Sequence, residues 1–152
     1  MRLTGVGRAA DLQWFTFAGG AGSELSLHLL CPWRVVAGKE ILVGHGDYWR
    51  PAAPNTADGD YDRGAPGSRW RDVRRDALVA HLGPGGACVE SVEADAFGGF
   101  ILRLEGRLEL ESFPDATSAP HDEVEFWRLF RPGGDGEPFV VSSAGIDRVA
   151  DA

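Results

Sequence analysis

From Leu25 to Val35 every second residue is apolar, with Leu25, Leu27, Leu29, Cys31, Trp33 and Val35 alternating against Ser26, His28, Leu30, Pro32 and Arg34. A period of two held this long specifies a strand with one buried face, because successive side chains of an extended chain point to opposite sides of a sheet. A helix would scatter them around its axis. The pair Gly38-Lys39 suits a two-residue II′ turn, which returns Ile41 to Trp49 antiparallel to the first strand. Pro32 lacks the amide hydrogen that a central ladder needs, and the alternation keeps its phase through it, so an edge strand without a bulge is expected.

Pairing Ala37 with Glu40 sets Val36 opposite Ile41, Arg34 opposite Val43, Pro32 opposite His45, Leu30 opposite Asp47 and His28 opposite Trp49. One face of this hairpin then holds Trp33, Val35 and Leu42, with Gly44 and Gly46 leaving room above them. The other face collects His28, Arg34, His45, Asp47 and Trp49.

Before the hairpin, residues 12 to 18 are aromatic and near-alternating and read as a short first strand. After it, Arg50 to Gly67 carries three prolines, four alanines and Asp58, Asp60 and Asp62 without apolar periodicity. That is a long surface loop, and loops of this length are contact elements more often than connectors. Ser68 is placed to cap a helix over about 69–82, whose stripe would be Trp70, Val73, Ala77, Ala80 and Leu82. Asp72 in its first turn and His81 in its last both suit the helix dipole, and Gly83-Pro84-Gly85-Gly86 ends it.

Three strands come next, at Ala87 to Ala94, Gly99 to Leu104 and Leu108 to Phe113. A two-residue loop between the last two would set leucines against glutamates, so a three-residue loop, Glu105 to Arg107, is required; it pairs Leu104 with Leu108, Leu102 with Leu110 and Arg103 with Glu109. Val124 to Arg131 is ambiguous between strand and helix. A glycine-rich turn and the strand Phe139 to Ser142 behind it favour strand. The polar tail from Ala144 is expected to fray. The fold class is therefore α+β: an antiparallel curved sheet or partial barrel of seven to eight strands with one packed helix.

At 152 residues the chain suits a single domain, 1–152. No apolar run is long enough to cross a bilayer as a helix and no secretory leader is legible, so the chain reads as cytoplasmic, with no membrane partner. Two cysteines, Cys31 and Cys88, are too few for a disulfide scaffold and are expected as buried thiols. A net charge of −8 opposes sequence-independent binding to nucleic acid and favours a basic partner.

The candidate chemistry is sparse. Asp58, Asp60 and Asp62 alternate as calcium-loop ligands do, but Arg63 stands where the glycine of such a loop belongs and Arg69 at its closing glutamate. His28, His45 and Asp47 on one sheet face are residue types that hold zinc or share a proton, although Arg34 in the same patch opposes a cation. His121 has no partner at ligand spacing. Motifs for nucleophilic catalysis and phosphate cradling are absent, and no cofactor or metal is expected. Trp49, ending a strand beside the long loop, is the best exposed anchor.

Trp33-Arg34, Gly38, the run Ile41 to Tyr48, Phe113-Pro114-Asp115 and Trp127 to Phe130 together resemble small uncharacterised bacterial domains that are β-rich and acidic. Some such domains resemble immunity proteins, which neutralise a toxin made by the same cell. The resemblance implies a protein partner and no catalysis, and transfers no residue roles. Two readings are open. In the first, a non-catalytic binding module meets a basic protein through Trp49, Asp58, Asp60, Asp62, Glu109, Glu111, Asp122, Glu123 and Glu125. In the second, a small-ligand or metal-assisted enzyme site occupies the face of His28, Arg34, His45 and Asp47.

Overall fold

The computed structural model describes residues 1–53, 65–117 and 122–147. Its elements in chain order are β1 (Arg2–Ala9), β2 (Leu12–Ala18), β3 (Glu24–Leu29), β4 (Trp33–Ala37), β5 (Glu40–Gly44), α1 (Trp70–Leu82), β6 (Ala87–Ala94), β7 (Phe100–Leu104), β8 (Leu108–Ser112), β9 (Glu125–Phe130), β10 (Phe139–Ser142) and β11 (Gly145–Asp147), with short 3-10 turns at Gly20–Gly22 and His45–Trp49. The strands form one open 11-stranded sheet in the order β11-β10-β9-β3-β2-β1-β6-β7-β8-β4-β5. Every pairing is antiparallel.

The α+β class holds, while the expected seven to eight strands fall short for three reasons. β1 carries Gly5 and Gly7 and has little alternation to read; β11 has only three residues; and Leu25 to Val36 makes two strands instead of one. The break falls at Leu30–Pro32. On one side β3 lies between β2 and β9; on the other β4 lies between β8 and β5, so neither is an edge. Pro32 is accommodated because it sits outside both ladders. The apolar alternation survives the break: Leu27, Leu29, Cys31, Trp33 and Val35 are all buried.

The hairpin turn forms as expected, with Ala37 opposite Glu40 and Val36 opposite Ile41. An extra residue in β5 then shifts the ladder, so that Val35 meets Val43 and Arg34 meets Gly44. Such a bulge reverses the facing of every later residue in its strand. Val43 is consequently the buried residue where Leu42 was expected, and Ile41 is exposed.

Between β7 and β8 the three-residue loop sets the expected register: Leu104 meets Leu108, Leu102 meets Leu110 and Arg103 meets Glu109. Gly106 and Arg107 in that loop both have positive φ. β9 and β10 are strands and pair with each other.

The two halves of the sheet are joined by the short ladder of β1 and β6, where Arg2 meets Cys88 and Leu3 meets Ala87. Leu3, Phe15, Leu27 and Leu29 from one half enter the same core as Trp33, Val35, Leu104 and Leu110 from the other. The sheet therefore folds over, and Phe15 meets Trp33 edge to face at 5.4 Å across the fold. Each such side chain contributes roughly 1.5–3 kcal/mol on leaving water.

Helix α1 docks unlike a standard amphipathic helix. Of the expected stripe, Val73, Ala77 and Ala80 are exposed, while Trp70 and Leu82 are half-buried and Leu82 packs on the core; the fully buried residues are Arg71, Asp72 and Leu78. Asp72 accepts two hydrogen bonds from Arg8, at 2.5 and 2.7 Å, and one from the amide of Gly67 at 3.1 Å. Arg71 donates to the carbonyls of Ala10 and Asp11 in the β1–β2 turn at 2.9 and 3.1 Å. The helix is thus fastened to the first hairpin by buried charge. Arg69, not Ser68, occupies the N-cap, and it gives no side-chain cap bond.

Gly86 sits where the two halves join, at φ +61°, and a Cβ there would overlap the carbonyl of Leu3. Gly86→Ala is expected to lower unfolding stability by about 2–4 kcal/mol, combining left-handed strain with overpacking against backbone. Gly85→Ala, which meets open space, serves as the control. Urea midpoints of the two variants check this.

Candidate functional site

The residues of the expected histidine face are dispersed. His28 on β3 stands between Trp14 of β2 and Arg128 of β9. His45 and Asp47 belong to the 3-10 turn after β5 and not to a strand, because the ladder, continued past the bulge through Val43 and Gly44, stops where the chain coils at His45. Asp47 accepts from the amide of Gly44 at 3.0 Å and pairs with Arg50 at 3.4 Å, so it closes that turn. Arg34 pairs with Glu111 at 2.6 Å and lies over the Phe113 ring at 4.9 Å. Among the described residues no group of three or more histidines, cysteines or carboxylates is placed to hold a metal ion.

The carboxylates of the expected acidic surface fall into two groups. Glu109 pairs with Arg103 at 3.2 Å, and Arg103 also meets Glu93 at 2.5 Å; Glu125 chelates Arg128 at 2.5 and 2.6 Å; Glu111 is buried against Arg34. Arg34 and Arg128 cancel Glu111 and Glu125, while Arg103 is shared by Glu93 and Glu109, and the exposed pairs among these contribute at most about 1 kcal/mol each. Asp122 is exposed, and Glu123 accepts a hydrogen bond from Ser142. Asp58, Asp60, Asp62 and His121 lie outside the described residues. Trp49 is 58% exposed and packs edge to face on the buried Tyr48 at 4.7 Å.

Sequence reasoning assigned nothing to the turn between β6 and β7, yet it presents the most exposed large apolar side chain among the described residues. Phe97 is 81% exposed. Its position is set by Asp95, whose carboxylate accepts the amides of Phe97 and Gly99 at 2.7 and 2.8 Å while its own amide donates to the Gly99 carbonyl at 2.9 Å. An aspartate folding the chain onto itself in this way is a local turn device. Gly98 has φ +87°, and its carbonyl accepts from the Trp127 indole at 2.7 Å. Trp127 is itself held edge to face by Phe100 at 5.5 Å. Three hydrogen bonds hold the turn, and its Phe is exposed to water.

Beside Phe97 opens the groove between this turn and the β10–β11 hairpin, about 540 Å³ in volume, floored by Phe126 and Val141 and walled by Phe97, Pro114 and Ile146. Asp115 lies on its margin, and among the described residues none that lines it is Arg, Lys or His. Ser142 on the wall connects it to Glu123 through its hydroxyl. Asp-x-Phe-Gly-Gly after a strand was the available sequence signal for this turn.

A second polar cluster surrounds the start of α1. The guanidinium of Arg69 stands 3.3 Å from the Tyr48 ring centre and that of Arg71 4.5 Å. Burial, and then the charge of Arg8, push Arg71 down to about 10, and the hydrogen bonds from Arg8 hold Asp72 below the usual carboxylate range. His45 lies near Arg71 with its Nδ1 buried and unpartnered among the described residues. Burial first, and Arg71 second, lower its pKa. The arrangement fixes the helix, and Arg69, Arg71 and Asp72 are buried. Burial likewise raises the thiol of Cys31, which lies 3.2 Å from the Ser112 hydroxyl, while Cys88 is half-buried.

No family model, curated protein or solved structure matches this chain.

The depressed pKa of His45 makes stability depend on pH. The unfolded chain takes up its proton near pH 6.5 while the folded chain still resists, so stability is whole above that pH, falls as pH drops through it, and levels below the folded value. His28, lowered by burial and by Arg128, acts in the same sense. Unfolding free energies measured between about pH 7.5 and 5 should fall, and His45→Asn should flatten that fall by its share.

Proposed function

We propose that the protein is a non-catalytic recognition module that holds a protein partner at the Phe97 groove. The reading rests on Phe97, an 81% exposed ring carried by a turn with three internal hydrogen bonds. A large apolar side chain left in water by a rigid loop contributes nothing to folding, and such rings are the anchors of interfaces. Pre-ordering also spares the partner the entropy of fixing the loop on association.

The groove beside it favours a partner that offers an apolar side chain with a basic neighbour. Phe126 and Val141 would receive the first, while Asp115 on the margin and Glu123 and Asp122 nearby suit the second. A net charge of −8 draws such a partner in at long range. An immunity-type inhibitor of a basic toxin is one protein of this kind. Glu111 and Glu125 take no part, since each is matched by its own arginine, and Glu109 shares Arg103 with Glu93 on another face.

The test is affinity purification from the native cell with the wild-type chain, Phe97→Ala and Trp49→Ala. A partner retained by wild type and by Trp49→Ala should be lost with Phe97→Ala, weakened by about ten-fold or more, and released as salt rises to about 0.5 M. Phe97→Ala should leave the unfolding midpoint in place, because the ring is in solvent. Equal retention by all three chains would overturn the proposal.

A further inference from the structure

On the outer side of the half-sheet, the registers align Gly7, Trp14, His28 and Arg128 across β1, β2, β3 and β9. A Cβ on Gly7 would overlap the Trp14 indole, so the glycine is what lets that ring lie down against the sheet. His28 then stands between two aromatic rings, Trp14 at 6.4 Å and Phe130 edge to face at 4.7 Å. Beside this row opens a cleft of about 320 Å³, lined by His28, Phe130, Arg131, Gly136 and Pro138, with Arg128 at its base.

The charges in the cleft do not cancel. Glu125 chelates Arg128, but Arg131 makes no ion pair among the described residues. The amide of Gly136 likewise has no acceptor among them. The cleft thus combines the apolar rings of Phe130 and Pro138 with a guanidinium that makes no ion pair among the described residues. That set matches a small molecule with a flat apolar body and one anionic group, for which a planar guanidinium offers two parallel donors.

We propose that this cleft binds a small aromatic carboxylate, with its ring against Phe130 and His28 and its carboxylate on Arg131. The site is separate from the Phe97 groove and shares no lining residue with it. His28 has its pKa lowered by burial and by Arg128, against the opposing pull of Glu125. An anion seated beside it would raise that value again.

The experiment is a titration of the full chain with benzoate and, in parallel, with inorganic phosphate, following the ring resonances of His28 by NMR. Benzoate should give a saturable shift and raise the His28 pKa. Arg131→Gln, at an exposed position, should weaken it about ten-fold, as expected for loss of a charge-assisted pair. Phe130→Ala should weaken benzoate more than phosphate. No saturable shift, a shift untouched by Arg131→Gln, or phosphate binding as well as benzoate would each overturn the proposal.

Discussion

The interaction on which the rest of the structure depends is the buried pairing of Asp72 with Arg8. Both side chains are almost fully removed from water, at 1% and 8% exposure, so the pair is far from an ordinary surface ion pair. Desolvating two charges is costly, and the cost is offset only when geometry is good and the remaining valences are filled. Here they are: two parallel bonds join the groups, and the Gly67 amide takes a further carboxylate site. With Arg71 bonded to the Ala10 and Asp11 carbonyls beside it, the pair fixes α1 on the β1–β2 hairpin and positions Tyr48 and His45.

A helix fastened largely by charge gives Leu78 and Leu82 to the core and leaves Val73, Ala77, Val79 and Ala80 exposed, and the sheet makes the complementary choice. Its two halves spend their leucines and aromatics on one shared core, and the outer face of β7, β8 and β4 is covered by Arg103–Glu109 and Arg34–Glu111 pairs. What remains after both choices is uneven. Most charge is matched locally, whereas Phe97 and the cleft beside Arg131 are left with unmet chemistry of opposite kinds, one apolar and one cationic. Those are the two places where recognition is proposed.

Much of this was legible in the residues. Leu102, Leu104, Leu108 and Leu110 admit only one register once leucines must share a face, and Arg103 opposite Glu109 is a consequence of it. The inward run from Leu27 to Val35 is also read correctly from its period, although the chain between Leu29 and Trp33 changes ladders. Parity reports facing, and it is blind to which neighbour a strand chooses. The bulge in β5 was not legible, since Ile41, Leu42 and Val43 are all apolar and either of two phases buries some of them; nor was the 3-10 turn that takes His45 and Asp47 out of the sheet. The helix was placed correctly and turned wrongly. Val73, Ala77 and Ala80 form the better stripe by hydropathy, but the partner surface offers Arg8 and bare carbonyls, which only Arg71 and Asp72 can satisfy. The Phe97 turn carried a signal in Asp95 and two glycines, too short for any periodicity to register.

A double-mutant cycle of Arg8→Gln and Asp72→Asn, read as unfolding free energy, tests the buried pairing most directly. Each single change should cost about 3–5 kcal/mol by removing the close partner of a buried charge, with only the more distant Arg75 at 3.8 Å left to Asp72, and the double variant should cost at least ~1.5 kcal/mol less than their sum. Single costs below about 1 kcal/mol that simply add would show that α1 is held by other contacts.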